Sequence, residues 1–325
     1  QGEDELSKGS PIIRTYNHKF RDIIYVSDFN SYLNVNGNCS GDCQQALNNA
    51  QIVAEFFQTN LPSEILNYIS RINVDYYRDE KGNIRTATAL WSGANKCAFF
   101  GRTYGQDLGS YASSLTVVAH EFGHMLNENR INLNYQGESG ALDESYADIF
   151  AILVANREQT NDCNRGENWN WNLGEGVGYE HNSNSSLRSL QGRLRDFYGD
   201  YYPQTMSDYN PDKSIHFNSC IHSRAVYELL ISRDHNNNYL LDISSATKLF
   251  YGALLKLKTS LEPNRYGSYE PTFLDSRNEM YSRAWTQFKD DPDPEKMEQV
   301  RNAIKRAFDS VGVFPRPQSD SHGKF

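Results

Sequence analysis

The spacing of apolar positions changes near residue 110, and the change divides the chain in two. Before it, short runs rich in Ile, Val, Tyr and Phe, bounded by polar residues, predict strands over 11–18, 21–29, 72–77 and 84–91. The segment Asp79-Glu80-Lys81-Gly82-Asn83 suits a turn between the last two. Among these runs, Ala46, Ala50, Val53 and Phe57 recur at helical spacing, so 43–59 reads as an amphipathic helix. Beyond residue 110 the helical period dominates, over 114–128, 138–156, 219–232, 244–257 and 294–311. The stretches 162–178, rich in Asn, Gly and Trp, and 180–186, mostly Asn and Ser, read as irregular loops. The pattern contains no internal repeat. It predicts an α+β fold of two lobes, a β-rich lobe over 1–113 and a mainly helical lobe over 114–325. The helix over 114–128 then sits at their junction, where a cleft would form.

Composition changes this picture little. The 325 residues suffice for two cores meeting at a cleft, and 38% hydrophobic residues suit an ordinary globular chain. A net charge of -9 with no long basic run argues against a nucleic-acid partner. No apolar run approaches the roughly 20 residues of a membrane span. The first ten residues are polar and lack a signal-peptide core, so the expectation is a mature chain, secreted or extracytoplasmic, whose signal and propeptide have gone. Five cysteines leave at least one without an intrachain partner, and Cys39 and Cys43, flanking Ser-Gly-Asp, are placed to close a small disulfide loop. No paired C-x-x-C motif supports a cysteine metal site.

Chemistry concentrates at His120-Glu121-Phe122-Gly123-His124. On a helix, positions i and i+4 share a face one turn apart, so two imidazoles can reach one zinc ion. The glutamate beside the first histidine can face the same cavity and act on water there. A second apolar-faced helix begins near Gly140, and Glu144 lies on it, twenty residues after His124. Two histidines and one carboxylate leave a fourth tetrahedral position open, as a catalytic zinc site requires. Asp148 follows one turn later on the same face, where it can accept the other ring N–H of a ligating histidine. Two surface or core histidines on an ordinary helix, with a solvated acidic stripe nearby, are the bland alternative.

H-E-x-x-H followed by a G-x-x-x-E-x-x-x-D helix resembles the signature of the thermolysin-like metallopeptidases. The similarity extends to Ile215-His216-Phe217-Asn218-Ser219, to Ser186-Leu187-Arg188-Ser189 and to the closing Ala307-Phe308-Asp309-Ser310-Val311-Gly312-Val313. It is weaker before Ala98. The resemblance implies one catalytic zinc ion on His120, His124 and Glu144, with Glu121 as the base. It implies that His216 stabilises the tetrahedral intermediate with help from Tyr135, and that Arg188 holds the substrate backbone. The family's Asn-Ala-aromatic-aromatic edge strand reads Cys97-Ala98-Phe99-Phe100 here, making Ala98 the expected substrate contact and Cys97 a departure. By family position, Val117, Leu173, Val177 and Leu187 line an apolar pocket for the residue after the scissile bond.

These implications define a secreted, monomeric zinc endopeptidase acting on proteins or peptides, with cuts before bulky hydrophobic residues. An aminopeptidase of related chemistry would need an acidic cluster for a free N-terminus, and no such motif stands near the site. A non-catalytic binding module would have lost Glu121 or a ligand, and neither is lost. The family's double calcium site is expected to be absent, with at most one calcium ion kept there. Its carboxylate positions read Thr116, Ala155, Asn170, Asn172 and Glu175, and calcium needs about 6–8 oxygen ligands with charge among them. Asp234, Asn236, Asn238 and Asp242 lack the glycine and terminal glutamate of an EF-hand and read as a polar loop.

Overall fold

A computed structural model describes residues 41–62, 110–159, 164–257 and 269–315, the strands before residue 102, and isolated positions between 262 and 267. The side chains of Cys39, Cys43, Cys97 and Cys163 fall outside the described residues, and with them the expected disulfide; Cys220 is buried as a free thiol.

The first part contains strands β1 (Ile13–Asn17), β2 (Asp22–Asp28) and β3 (Ser31–Leu33), then helix α1 (Asp42–Asn60). Strands β4 (Ser70–Val74), β5 (Tyr77–Arg78), β6 (Ile84–Arg85), β7 (Ala89–Ser92) and β8 (Cys97–Phe100) follow. Six of them form one sheet in the order β3-β2-β1-β4-β8-β7, while β5 and β6 pair separately. The β1–β4 and β4–β8 pairs are parallel; β7 runs antiparallel to β8. Ala46, Leu47, Ala50, Val53, Ala54 and Phe57 form the buried face of α1, which packs toward β1 and β4 and against the next helix.

The sheet order corrects one expectation. Cys97–Phe100 is not the edge strand: β8 lies between β4 and β7, and Ala98 is fully buried. Among the described strands, the end of the sheet next to β8 is β7, where Ala89, Leu90, Trp91 and Ser92 are all half-buried. Within residues 84–91, read as one strand, Ile84–Arg85 pair with β5 and Ala89 to Trp91 with β8, in separate sheets.

The remainder is helical: α2 (Leu115–Arg130), α3 (Gly137–Ala155), a single turn α4 (Arg165–Asn168), then α5 (Ile215–Leu230), α6 (Ile243–Leu257), α7 (Phe273–Phe288) and α8 (Lys296–Ser310). Two short strands, β9 (Asn172–Leu173) and β10 (Arg188–Ser189), pair antiparallel between α4 and α5. Apolar residues cover α3 all round, and every residue from Ser139 to Val154 except Asp143 is buried, so α3 is the central helix. α2 and α5 pack on it directly, and one apolar core runs from α1 through α3 to α8. Among the described residues, no helix is long and apolar enough to cross a membrane.

Candidate active site

The site forms where α2 crosses α3. Ser114 caps α2 by accepting from the Val117 backbone N–H, and Val117, Val118 and Phe122 bury one side of the helix. A Cβ added at Gly123 would lie 2.7 Å from the Ala147 Cα, so only glycine lets the helices approach this closely. That approach brings the two imidazoles on α2 onto the carboxylate on α3. Gly140 performs the same task between α3 and α5, with Ile215 Cγ2 2.9 Å from where its Cβ would stand. Ser214 caps α5, which puts His216 in the first turn, facing the same place.

The Nε2 atoms of His120 and His124 are 3.0 Å apart. Glu144 Oε2 lies 3.4 Å from the first and Oε1 3.4 Å from the second. The far nitrogens face carboxylates: His120 Nδ1 is 2.8 Å from Asp148 Oδ1, off ideal hydrogen-bond geometry, and His124 Nδ1 is 3.3 Å from Asp143 Oδ2. Carboxylates on the Nδ1 side place the ring protons there and leave both Nε2 lone pairs aimed at one point. Two lone pairs and a carboxylate converging repel one another unless a cation stands between them. The donor set therefore fits zinc, and one ligand atom from each residue lies within 4.8 Å of the others.

Charge around the group is tightly balanced. Burial alone would raise the pKa of Glu144, but the imidazoles of His216, His124 and His120 overcome it and hold the carboxyl well below its usual range. Arg188 is buried and bidentate on Asp148, through Nε at 2.9 Å and Nη2 at 2.8 Å, and Nη2 also reaches Glu144 Oε2 at 3.3 Å. It thereby ties the two carboxylates of α3 together at the cleft wall. Glu121 is buried, its Oε2 has no protein partner, and burial raises its pKa against the opposing pull of His120 and His124.

A cleft runs past this group on both sides. One cavity, of about 470 Å³, is lined by His120, Glu121, Arg188 and His216, with Val117, Leu173 and Leu187 as its apolar wall. Tyr111, Tyr202 and Phe217 complete that wall, whereas Val177, expected there, is buried away from the cavity. The other cavity, of about 390 Å³, adds Leu90, Trp91, Tyr135 and Asp143. Here β7 forms a wall, and Trp91 Nε1 donates to Glu128 on α2 at 2.8 Å, fixing the edge strand against the metal-site helix. Ala98 does not line either cavity. His216 is half exposed, with Nε2 3.2 Å from Glu144 Oε1, and the Tyr135 hydroxyl donates to the same carboxylate.

The sequence reading thus brought together seven residues that meet in space: His120, Glu121, His124, Tyr135, Glu144, Asp148 and Arg188, with His216 as the eighth. It missed Asp143, the neighbour of His124, which its place beside Glu144 already signalled. It also missed Asn127, whose side chain holds the Asp143 backbone carbonyl at 3.0 Å.

A two-helix frame presenting two imidazoles and a carboxylate to an open cleft defines a single-metal site of the kind found in zinc peptidases. Residues 5–128 match the thermolysin metallopeptidase catalytic domain and 131–313 the alpha-helical domain of the same family. The chain belongs to the thermolysin metallopeptidases. A gelatinase from Enterococcus faecalis is 27% identical over 228 residues, covering 69% of this chain and 38% of the relative. A thermolysin from Alicyclobacillus acidocaldarius is 25% identical over 266 residues, covering 76% and 44%. The chain therefore spans less than half the length of these curated relatives. Among solved structures, the precursor of protealysin, a metalloproteinase from Serratia proteamaculans, superposes with a TM-score of 0.67 over 96% of this chain and 91% of that one, at 20% identity. That likeness extends the shared fold to nearly the whole chain.

Proposed function

We propose that this chain is a secreted, monomeric zinc endopeptidase that cuts internal peptide bonds before bulky hydrophobic residues. The supporting observation is the convergence of His120, His124 and Glu144 on one point, with Glu121, whose buried Oε2 has no protein hydrogen-bond partner, lining the same cavity. A β-rich lobe over 1–113 and a helical lobe over 114–325, with the metal at their junction, is the division we infer. Zinc on these three ligands supplies Lewis-acid polarisation of the scissile carbonyl and lowers the pKa of a water. Glu121 Oε2 takes the proton from the attacking water and returns it to the leaving amine. His216 Nε2 and the Tyr135 hydroxyl donate toward the oxyanion as it develops. Asp148 and Asp143 keep the ligating imidazoles in the Nδ1–H form, and Arg188 fixes Asp148 and Glu144 while facing the substrate. Strand β7, whose Ala89, Leu90 and Trp91 line the cleft, is the strand beside which we place an extended substrate, instead of the Ala98 contact.

The apolar wall of Val117, Leu173 and Leu187 accommodates the side chain after the cut. Digestion of casein by the zinc-loaded protein, with mass mapping of the products, is expected to show internal cuts before Leu, Ile, Phe or Val. Trimming from the N-terminus would instead indicate an aminopeptidase. An intact substrate would indicate a binding module.

The double calcium site does not fit the residues at its positions. Ala155 offers no side-chain oxygen, Thr116 Oγ1 already accepts from the Gly174 N–H at 2.8 Å, and Glu175 accepts from the Asn170 amide at 2.6 Å. The adjoining loop has other supports. Trp169 and Trp171 are buried with centroids 5.1 Å apart, and Arg165 donates to the carbonyls of Leu230 and Leu241 while lying over the Trp169 ring. A calcium-selective chelator is therefore expected to leave the melting temperature of the zinc-loaded protein unchanged. A large calcium-dependent rise, with two calcium ions bound at residues 170–175, would overturn this.

A further inference from the structure

The 470 Å³ cavity does not end at the apolar wall. It continues to a rim of aromatic side chains from Tyr179 and the turn at 195–201, where Phe197 is 59% and Tyr198 83% exposed. Exposed apolar side chains scattered singly are ordinary on a protein surface; these rings are gathered and held. The Phe197 ring meets Tyr179 edge-on at 5.8 Å and Tyr198 at 5.3 Å. Asp196 Oδ1 accepts from the backbone N–H groups of Tyr198 and Asp200, and the Asp196 N–H donates to the Asp200 carbonyl. Gly199, at φ 88°, permits the turn, and Lys213 on the facing loop ion-pairs with Asp196 at 3.3 Å and with Asp200. Ring faces fixed in advance bind an apolar side chain without first losing conformational entropy.

Charge selects what binds there. Lys213 is already taken by Asp196 and Asp200, and Asp212 also lines the cavity, so an acidic side chain meets surplus negative charge. An aromatic or large aliphatic side chain meets apolar surface and loses little hydration. The Val117–Leu173–Leu187 wall takes the residue directly after the cut, so the occupant of the rim is the substrate segment beyond it.

We propose that Tyr179, Phe197 and Tyr198 form a distal subsite for an aromatic or large aliphatic residue two or three positions after the scissile bond. This rests on the endopeptidase reading above and adds a specificity that the zinc group and its adjoining pocket do not impose. Two sets of quenched peptides sharing one cleaved bond test it. The short set ends in an amide one residue after the cut. The long set extends by two more residues, carrying Phe, Leu, Gly or Asp. The parent is expected to cleave the Phe and Leu long peptides about tenfold more efficiently in kcat/KM than the Gly one, with Asp lowest. Phe197→Ala/Tyr198→Ala should remove that gain and leave the short peptide unaffected. Tyr198→Ala alone, the more exposed ring, should move in the same direction with the fold undisturbed. A parent that cuts all long peptides equally, or variants that lose activity equally on short and long peptides, would overturn the subsite. A parent that cuts no peptide at all would overturn the endopeptidase reading itself.

Discussion

Glu121→Gln is expected to retain zinc and to lose turnover by about 10²–10⁴-fold or more. The two side chains have nearly the same shape, and Glu121 is not among the three residues whose ligand atoms converge. What changes is proton affinity: a carboxamide cannot take the proton from water or return it to an amine. The environment suits a base. Glu121 is buried, its Oε2 has no protein partner, and burial favours the protonated carboxyl, which makes the anion a stronger base. The measurement is zinc content by elemental analysis beside kcat on a peptide cleaved by the parent. Equal turnover at equal zinc content removes Glu121 from the chemistry. Loss of zinc on substitution makes it a ligand and the donor set wrong.

The metal group was legible in the sequence because helix geometry is local. Spacing four on α2 fixes the relation of His120 to His124, and spacing four on α3 fixes Glu144 to Asp148. That the two helices meet is written in Gly123 opposite Ala147, a close approach visible only once both are placed. Sheet order is not local in this way. Ala89-Leu90-Trp91-Ser92 and Cys97-Ala98-Phe99-Phe100 are alike in pattern, each an alanine followed by two large apolar residues. Only the neighbours decide that the first is the edge and the second interior. Helix α7 escaped the apolar periodicity because polar residues occupy two of its buried positions, Ser276 and Arg277. Arg277 reaches Asp309 on α8 at 3.1 Å, and Ser276 belongs to a buried polar network. The capping box of Thr272 and Asp275 marked the helix start and is the signal that could have found it. Trp169 and Trp171 lie in a stretch read as irregular. Their burial, with the one turn of α4 before them, shows that aromatic content in a polar loop can mark an inward anchor rather than a mobile connection.

The network around Ser276 makes the fold sensitive to acid in a way that one substitution should reveal. His222, on α5, is fully buried, with Nδ1 2.8 Å from Ser145 Oγ on α3 and Nε2 2.9 Å from Ser276 Oγ on α7. Ser145 also meets Ser223 at 2.8 Å, and Tyr146 meets Ser276 at 2.8 Å, so three helices share one closed polar cluster. A neutral imidazole has one donor and one acceptor, which two hydroxyls can satisfy; no carboxylate is among these partners to stabilise an imidazolium. Burial accordingly lowers the His222 pKa from 6.5 to about 3. The unfolded chain then takes up the proton first as pH falls below about 6.5, while the folded chain resists until about 3. Between those values the unfolded state binds more protons, so stability declines with falling pH by about 1.4 kcal/mol per unit from this residue alone. His222→Gln keeps hydrogen-bonding groups in the cluster and removes the titration. It is expected to lower stability at pH 7 by about 1–2 kcal/mol for imperfect bonding, yet to lose less than the parent on going from pH 6.5 to 4.5. Urea midpoints of both proteins, with zinc removed from each so that ligand protonation cancels, give the comparison. Parallel pH curves would sink the argument. So would a His222 ring titration near 6.5 in the folded parent, read from its Cε1–H resonance, a measurement that remains available if the variant does not fold.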